Sequence, residues 1–153
     1  MRITVNCENR NRRRKVDLSK AKKVAETVLK TFGKKDAVVN IVFISNQKIR
    51  ALNRMYLGKD SSTDVLAFPS GDTAGLRSQV SGLRKGFLGD VAISSDKAAG
   101  NAGEYGTAFK EEIALYVIHG VLHLLGYDDR TKKSRKVLQR KEHELLQKAK
   151  AVI

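Results

Sequence analysis

Ile3, Val5 and Cys7 alternate with Thr4 and Asn6, and this period of two predicts a strand over residues 2–7. Leu18, Ala21, Val24, Ala25, Val28, Leu29 and Phe32 then recur at helical spacing, with Gly33 as the stop. Residues 38–44 are a dense apolar run of strand length. Ser45 is placed to cap a helix carrying Ile49, Leu52 and Tyr56. Residues 64–68 read as a third strand closed by Pro69, and residues 87–93 as a fourth. Gly89 within the fourth marks a bulge or a close backbone approach. Residues 70–86 between them hold four glycines and no period, which reads as a flexible loop.

Residues 94–106 fit a short helix and a turn. Thr107 is placed to cap a helix whose residues 113–125 are apolar on almost every side, with Glu111 and Glu112 near its positive end. From Thr131 onward the chain is amphipathic, with Val137, Leu138, Leu145 and Leu146 facing inward. Strands mixed with helices, then two helices at the end, describe an α/β (α+β-like) fold. We expect a single domain over residues 1–153, with a four-stranded mixed sheet packed with about five helices. Strands three and four can pair antiparallel across the glycine-rich loop, and helical crossovers make the other pairs parallel. The pattern leaves strand order open.

Composition narrows the class. A chain of 153 residues with 41% hydrophobic content and one proline can bury a substantial core. The single cysteine, Cys7, cannot form an internal disulfide, which points to a reducing, cytoplasmic setting. Residues 1–6 read as a strand and not as a signal peptide, and no segment is long enough to span a membrane. Charge changes the picture more. Thirty Lys and Arg stand against sixteen Asp and Glu, a formal net charge of +14. Such an excess repels itself, so a polyanionic partner is expected, nucleic acid first and an anionic membrane surface second. Arg10, Arg12, Arg13, Arg14 and Lys15 put five cations into six residues, a density that favours phosphate contact over an ordinary solvated loop. Lys132, Lys133, Arg135, Lys136, Arg140 and Lys141 give the last helix a basic outer face.

The candidate chemistry lies in the apolar helix. His119 and His123 are four residues apart, so both imidazoles stack on one face and can share a metal ion. Gly126 can end the helix in a left-handed turn and return Asp129 to the same ion. Two nitrogens, one carboxylate oxygen and an open fourth position describe a catalytic zinc site. The third histidine, His143, lies between Glu142 and Glu144 and reads as a surface residue.

Three blocks in order carry a resemblance. They are Leu52-Asn53, Tyr56, Lys59-Asp60 and the run from Thr63 to Pro69; Leu88-Gly89-Asp90-Val91; and His119-Gly120, Leu122-His123, Gly126-Tyr127-Asp128. Through them the chain resembles the YbeY family of bacterial zinc-dependent endoribonucleases. The resemblance implies an α/β fold with a zinc cleft and single-strand-specific cleavage in ribosomal RNA maturation. It also implies action at the 3′ end of the small-subunit RNA, ribosome quality control, and the small ribosomal subunit as a partner. Two positions depart from the family. Asp129 stands where its third ligand is usually histidine, and Leu57 where an arginine thought to help hold the scissile phosphate follows the tyrosine. Arg54, Lys59 or Arg84 could supply that cation, and Asp64 or Asp90 could orient the attacking water. Either carboxylate could equally be a strand-end group bonded to loop amides.

Two other readings compete. A zinc peptidase shares the histidine spacing but needs a general-base glutamate directly after the first histidine, where Gly120 stands. A non-catalytic, metal-containing assembly factor would bind ribosomal RNA without cleaving it.

Overall fold

Strand β2 (Ala37–Ile44) is the spine of the molecule. Its odd-numbered Val39, Ile41 and Phe43 turn to one side and its even-numbered Asn40, Val42 and Ile44 to the other, so both faces of the sheet start from this strand. The computed structural model describes residues 2–70 and 86–153. Nearly all of the expected glycine-rich loop, with Arg84, lies outside the described residues. The remaining elements are β1 (Ile3–Asn9), α1 (Leu18–Thr31), α2 (Asn46–Leu57), β3 (Val65–Pro69), β4 (Phe87–Ser94), α3 (Ser95–Tyr105), α4 (Phe109–Leu124) and α5 (Lys132–Ala149).

The strands lie in the order β1-β2-β4-β3. β1 and β2 are parallel, as are β2 and β4, while β3 runs antiparallel to β4. Among the described residues this is the expected four-stranded mixed sheet with five helices. One face carries the main core, where Val5, Val39, Ile41, Phe43, Val91 and Ile93 meet residues of α1, α4 and α5. A smaller cluster on the other face joins Ile44, Leu66, Phe68 and Ala92 to Ile49 of α2. Among the described residues, no helix is long and apolar enough to cross a membrane.

Some local expectations change. β1 runs to Asn9, two residues beyond the expected strand, because Glu8 and Asn9 pair with Val42 and Phe43. Ala108, not Thr107, occupies the N-cap of α4 and makes no side-chain cap bond. Thr107 instead bonds the Glu112 side chain. Val137 is 37% exposed, because Leu138, Leu145 and Ala149 already fill the inward stripe of α5. Gly89 shows both anticipated features. The β2–β4 register shifts beside it, and a Cβ there would lie 2.4 Å from the Phe68 carbonyl oxygen.

Helix α4 approaches the sheet through Gly120. A Cβ at this position would lie 2.5 Å from Val91 Cγ1 and 3.3 Å from Val65 Cγ1. Both neighbours are short branched side chains on strands, with little freedom to yield. Alanine would gain about 1 kcal/mol of helix propensity over glycine, but overpacking a core costs about 1–3 kcal/mol. Gly120→Ala is therefore expected to lower stability in a denaturant titration, and Gly120→Val to lower it further. A variant as stable as the wild type would show that α4 can back away from the sheet.

Candidate metal centre

The polar groups of α4 form one stripe. Glu112, Tyr116, His119 and His123 follow at steps of four, three and four residues, and so share a side of an otherwise apolar helix. Gly120, pressed on Val91, fixes the direction in which that stripe points. At its upper end the Tyr116 hydroxyl meets the side-chain amide of Asn101 on α3. Burial, with the charge of Asp64 second, pushes the Tyr116 pKa up to about 12, so the phenol stays protonated.

The two histidines are brought together, with Nε2 of His123 3.1 Å from Nε2 of His119. On the far side of His119, Nδ1 lies 2.9 Å from Oε1 of Glu142 on α5. A carboxylate only accepts, so Nδ1 carries the hydrogen and Nε2 of a neutral His119 turns its lone pair toward His123. Two lone pairs so close repel unless a proton or a cation stands between them. Two ligands of a tetrahedral zinc, with bonds of about 2.0–2.1 Å, lie about 3.3 Å apart. The donor pair therefore fits one such ion with little adjustment.

Electrostatics separate the two rings. Burial works to lower the His119 pKa, but the Glu142 hydrogen bond and charge outweigh it, helped by Asp64 and Asp129, and the pKa ends above its ordinary value. Burial and then the neighbouring His119 push the pKa of His123 down. His143 is exposed, as expected.

Glu142 is the site residue that sequence reasoning missed. Its signal was its place on the inward stripe of α5, one turn from both Leu138 and Leu145. A carboxylate on such a stripe needs a partner in the core.

Asp129 occupies the exposed turn that follows α4, which the chain enters through Gly126 at φ +103°. The adjacent Asp128 is engaged. It accepts from Arg130 N at 3.1 Å and bonds the Ser134 side chain, which together hold its carboxyl below its ordinary pKa. Asp129 accepts no hydrogen bond among the described residues, and its charge acts on both histidines. Among the described residues no three His, Cys, Asp or Glu side chains are gathered tightly enough to hold one ion. The structure thus pairs His119 with His123 and leaves Asp129 on the adjoining turn.

The two remaining carboxylates part company. Asp64, just before β3, accepts from Val65 N at 2.8 Å, and its charge acts on His119. Asp90 accepts from the Asn40 amide at 3.1 Å, and Asn40 in turn accepts from Asn6 at 2.9 Å. That row lies on the second face of the sheet, whereas α4 packs on Val91 of the first. Asp90 is therefore removed from the histidines, because neighbouring residues of a strand face opposite ways. Asp64 thus holds the first backbone amide of β3, and Asp90, inside β4, a side-chain amide on β2; neither holds the loop amides of the structural alternative.

The basic candidates form two groups. Arg54 and Lys59 are exposed around the end of α2 beside Leu57, itself 55% exposed, and Arg54 Nη1 lies 3.9 Å from Asp60. Arg10, Arg12, Arg13 and Arg14 sit on the loop after β1, where α2 and α3 begin. Asp96 ties that loop down, accepting from Asn11 at 3.0 Å, from Arg14 Nε at 3.2 Å and from Asn46 N at 3.0 Å.

The family model described as Endoribonuclease YbeY matches residues 6–150. The chain belongs to the YbeY family. The Endoribonuclease YbeY of Thermoanaerobacter sp. (strain X514) is 36% identical over 146 residues, covering 89% of this chain and 92% of that protein. That of Pelotomaculum thermopropionicum is 43% identical over 125 residues, covering 81% and 80%. The solution structure of TM1509 from Thermotoga maritima superposes with a TM-score of 0.61 at 25% identity, covering 97% of this chain and 89% of that one.

Asp96 yields a test of how the arginine loop is held. Burial works to raise its pKa, but the bonds from Asn11, Asn46 and Arg14 outweigh this and the pKa ends below 3.8. A carboxyl with a depressed native pKa adds stability above its unfolded pKa and loses it as pH falls through the native one. Asp96→Asn should cost about 1–3 kcal/mol at neutral pH, the scale of a hydrogen bond to a charged group. In chemical denaturation the gap from wild type should hold down to the ordinary value of 3.8 and close below it. A gap that persists unchanged in acid would mean that the charge of Asp96 contributes nothing.

Proposed function

We propose that this protein is a single-strand-specific, zinc-dependent endoribonuclease that matures ribosomal RNA in the cytoplasm. On this reading it acts at the 3′ end of the small-subunit RNA, in ribosome quality control and with the small ribosomal subunit as partner. Family membership supports hydrolysis of RNA, and the facing Nε2 atoms of His119 and His123, backed by Glu142, carry the metal-dependent part. The ligands would be His119, His123 and Asp129. Zinc there would supply a Lewis acid for a phosphoryl oxygen and acidify water for attack.

The chain's own groups supply the rest. Glu142 fixes the His119 tautomer and ring orientation, as carboxylates behind metal-binding histidines do. Asp64, whose charge reaches His119, is the carboxylate that would orient the attacking water. A cation would also be needed to offset the charge that develops on the phosphoryl oxygens, and Arg54 and Lys59, exposed at the end of α2, are the described candidates for it. Gly120 argues against the peptidase, since the required glutamate would be driven into Val91.

His119→Ala should abolish cleavage of a single-stranded RNA and lower the metal content of protein purified without chelator. Glu142→Gln should weaken metal affinity by about 10–100-fold, measured by competition with a chromophoric chelator. RNA binding without cleavage by both wild type and His119→Ala would favour the assembly factor instead.

Position 57 adds a kinetic test. The exposed Leu57 can become arginine without disturbing the core. Its charge would meet the phosphate mainly in the transition state, where charge develops. Leu57→Arg should raise single-turnover kcat about tenfold, equivalent to ~1.4 kcal/mol, with a smaller change in RNA affinity. An unchanged rate would mean that another cation already fills that role.

A further inference from the structure

The arginine loop after β1 is a built feature, and the chemistry at the histidines does not use it. Arg10 N donates to the Phe43 carbonyl at 2.8 Å. Asn9 holds both sides of the turn, accepting from Asn11 N at 2.9 Å and donating to the Arg14 carbonyl at 2.8 Å. Asn11 is 4% exposed and donates to Ser95 Oγ at 2.8 Å, which fastens the loop to the start of α3. The fastened loop presents its arginines around a cavity of about 590 Å³, lined by Arg10, Arg12, Arg13, Arg14, Asn46 and Gln47 among others.

Charge within the loop is unevenly compensated. Arg10 pairs with Glu8 at 3.0 Å and Arg14 with Asp96 at 3.2 Å. Arg12 and Arg13 are both exposed and, among the described residues, pair with no acidic side chain. Adjacent uncompensated guanidinium groups repel one another, so the loop gains when an anion enters. The planar fork of each matches two oxygens of a phosphate.

The loop is also remote from the histidines. It is fastened to Ser95 and Asp96, just past the C-terminal end of β4, whereas α4 packs on Val91 through Gly120 and brings Leu124 beside Gly89, near the start of that strand. About five residues of extended strand, each rising about 3.3 Å, separate those two ends, on the order of 16 Å. We propose that Arg12 and Arg13 form an anchoring subsite for the RNA backbone, gripping phosphates several nucleotides from the bond that is cut. This rests on the reading of RNA as the ligand. It adds that affinity grows with strand length through a site separate from the cleavage centre.

The test is fluorescence anisotropy on the full chain with single-stranded RNAs of about 4 and about 20 nucleotides, across salt. Wild type should bind the longer strand at least tenfold more tightly. In the double variant Arg12→Ala, Arg13→Ala that gain should vanish. The log–log salt slope for the long strand should fall by about 1.4, at about 0.7 for each phosphate no longer held. The double variant Arg12→Lys, Arg13→Lys keeps the charges and should recover most of the slope, which a merely structural role would not produce. A thermal melt of each variant checks the fold. The proposal is overturned if the alanine variant binds the long strand as wild type does, or if it loses equal affinity for both strands. It is overturned too if the loss appears only toward phosphatidylserine vesicles. Cleavage assayed in parallel separates the two claims. Length-dependent binding without cleavage leaves the subsite standing and removes the nuclease, while cleavage without any length effect does the reverse.

Discussion

Everything at the candidate site depends on how closely α4 lies on the sheet at Gly120. An amphipathic helix is oriented by its apolar stripe, but α4 is apolar nearly all round and could bury several faces equally well. The missing side chain breaks that degeneracy. Gly120 is turned to Val91 and Val65, so close that a Cβ there would lie 2.5 Å and 3.3 Å from their methyl groups. Once that rotation is fixed, Glu112, Tyr116, His119 and His123 line the side that faces α3 and α5, where Asn101 and Glu142 meet them. One glycine thus determines both the packing of the core and the direction of the imidazoles.

Helix α5 converts that direction into chemistry. Without Glu142 the His119 ring could flip or carry its hydrogen on either nitrogen. With it, Nε2 is committed to the side where His123 waits. The carboxylate must be partly shielded to hold the ring, and Leu138 and Leu145 on the same stripe provide the shielding. The closing helix of the chain therefore acts as the outer support of a site whose donors lie on its predecessor.

Much of this was legible in the sequence, and the reasons differ by residue. The i, i+4 histidines, the mixed sheet and the Ser45 cap are short-range patterns, and short-range geometry follows from residue order. Strand order was not legible, because pairing β2 with β4 depends on contacts across some fifty residues. The choice between Asp64 and Asp90 was not legible for a related reason. Residue order does not say which face of the sheet α4 covers, and the pleat sends Asp90 and Val91 to opposite faces. Glu142 went unseen because the charge-rich sequence of α5 hides one inward carboxylate among many outward charges. Thr107 was a good cap by residue type, but its hydroxyl is claimed by Glu112.

The turn after α4 shows how local bonding can select between adjacent identical residues. Asp128 and Asp129 have the same side chain and the same distance from Gly126 to within one residue. Asp128 spends its oxygen on Arg130 N and Ser134, bonds that shape the turn and lead into the Thr131 capping box of α5. A carboxylate so engaged would have to surrender those bonds to bind a cation, loosening the turn that leads into the helix carrying Glu142. Asp129 surrenders none among the described residues. For the proposed ion the cheaper third donor would therefore be Asp129, whose withdrawal from solvent would leave the turn, the cap and the His119 support intact.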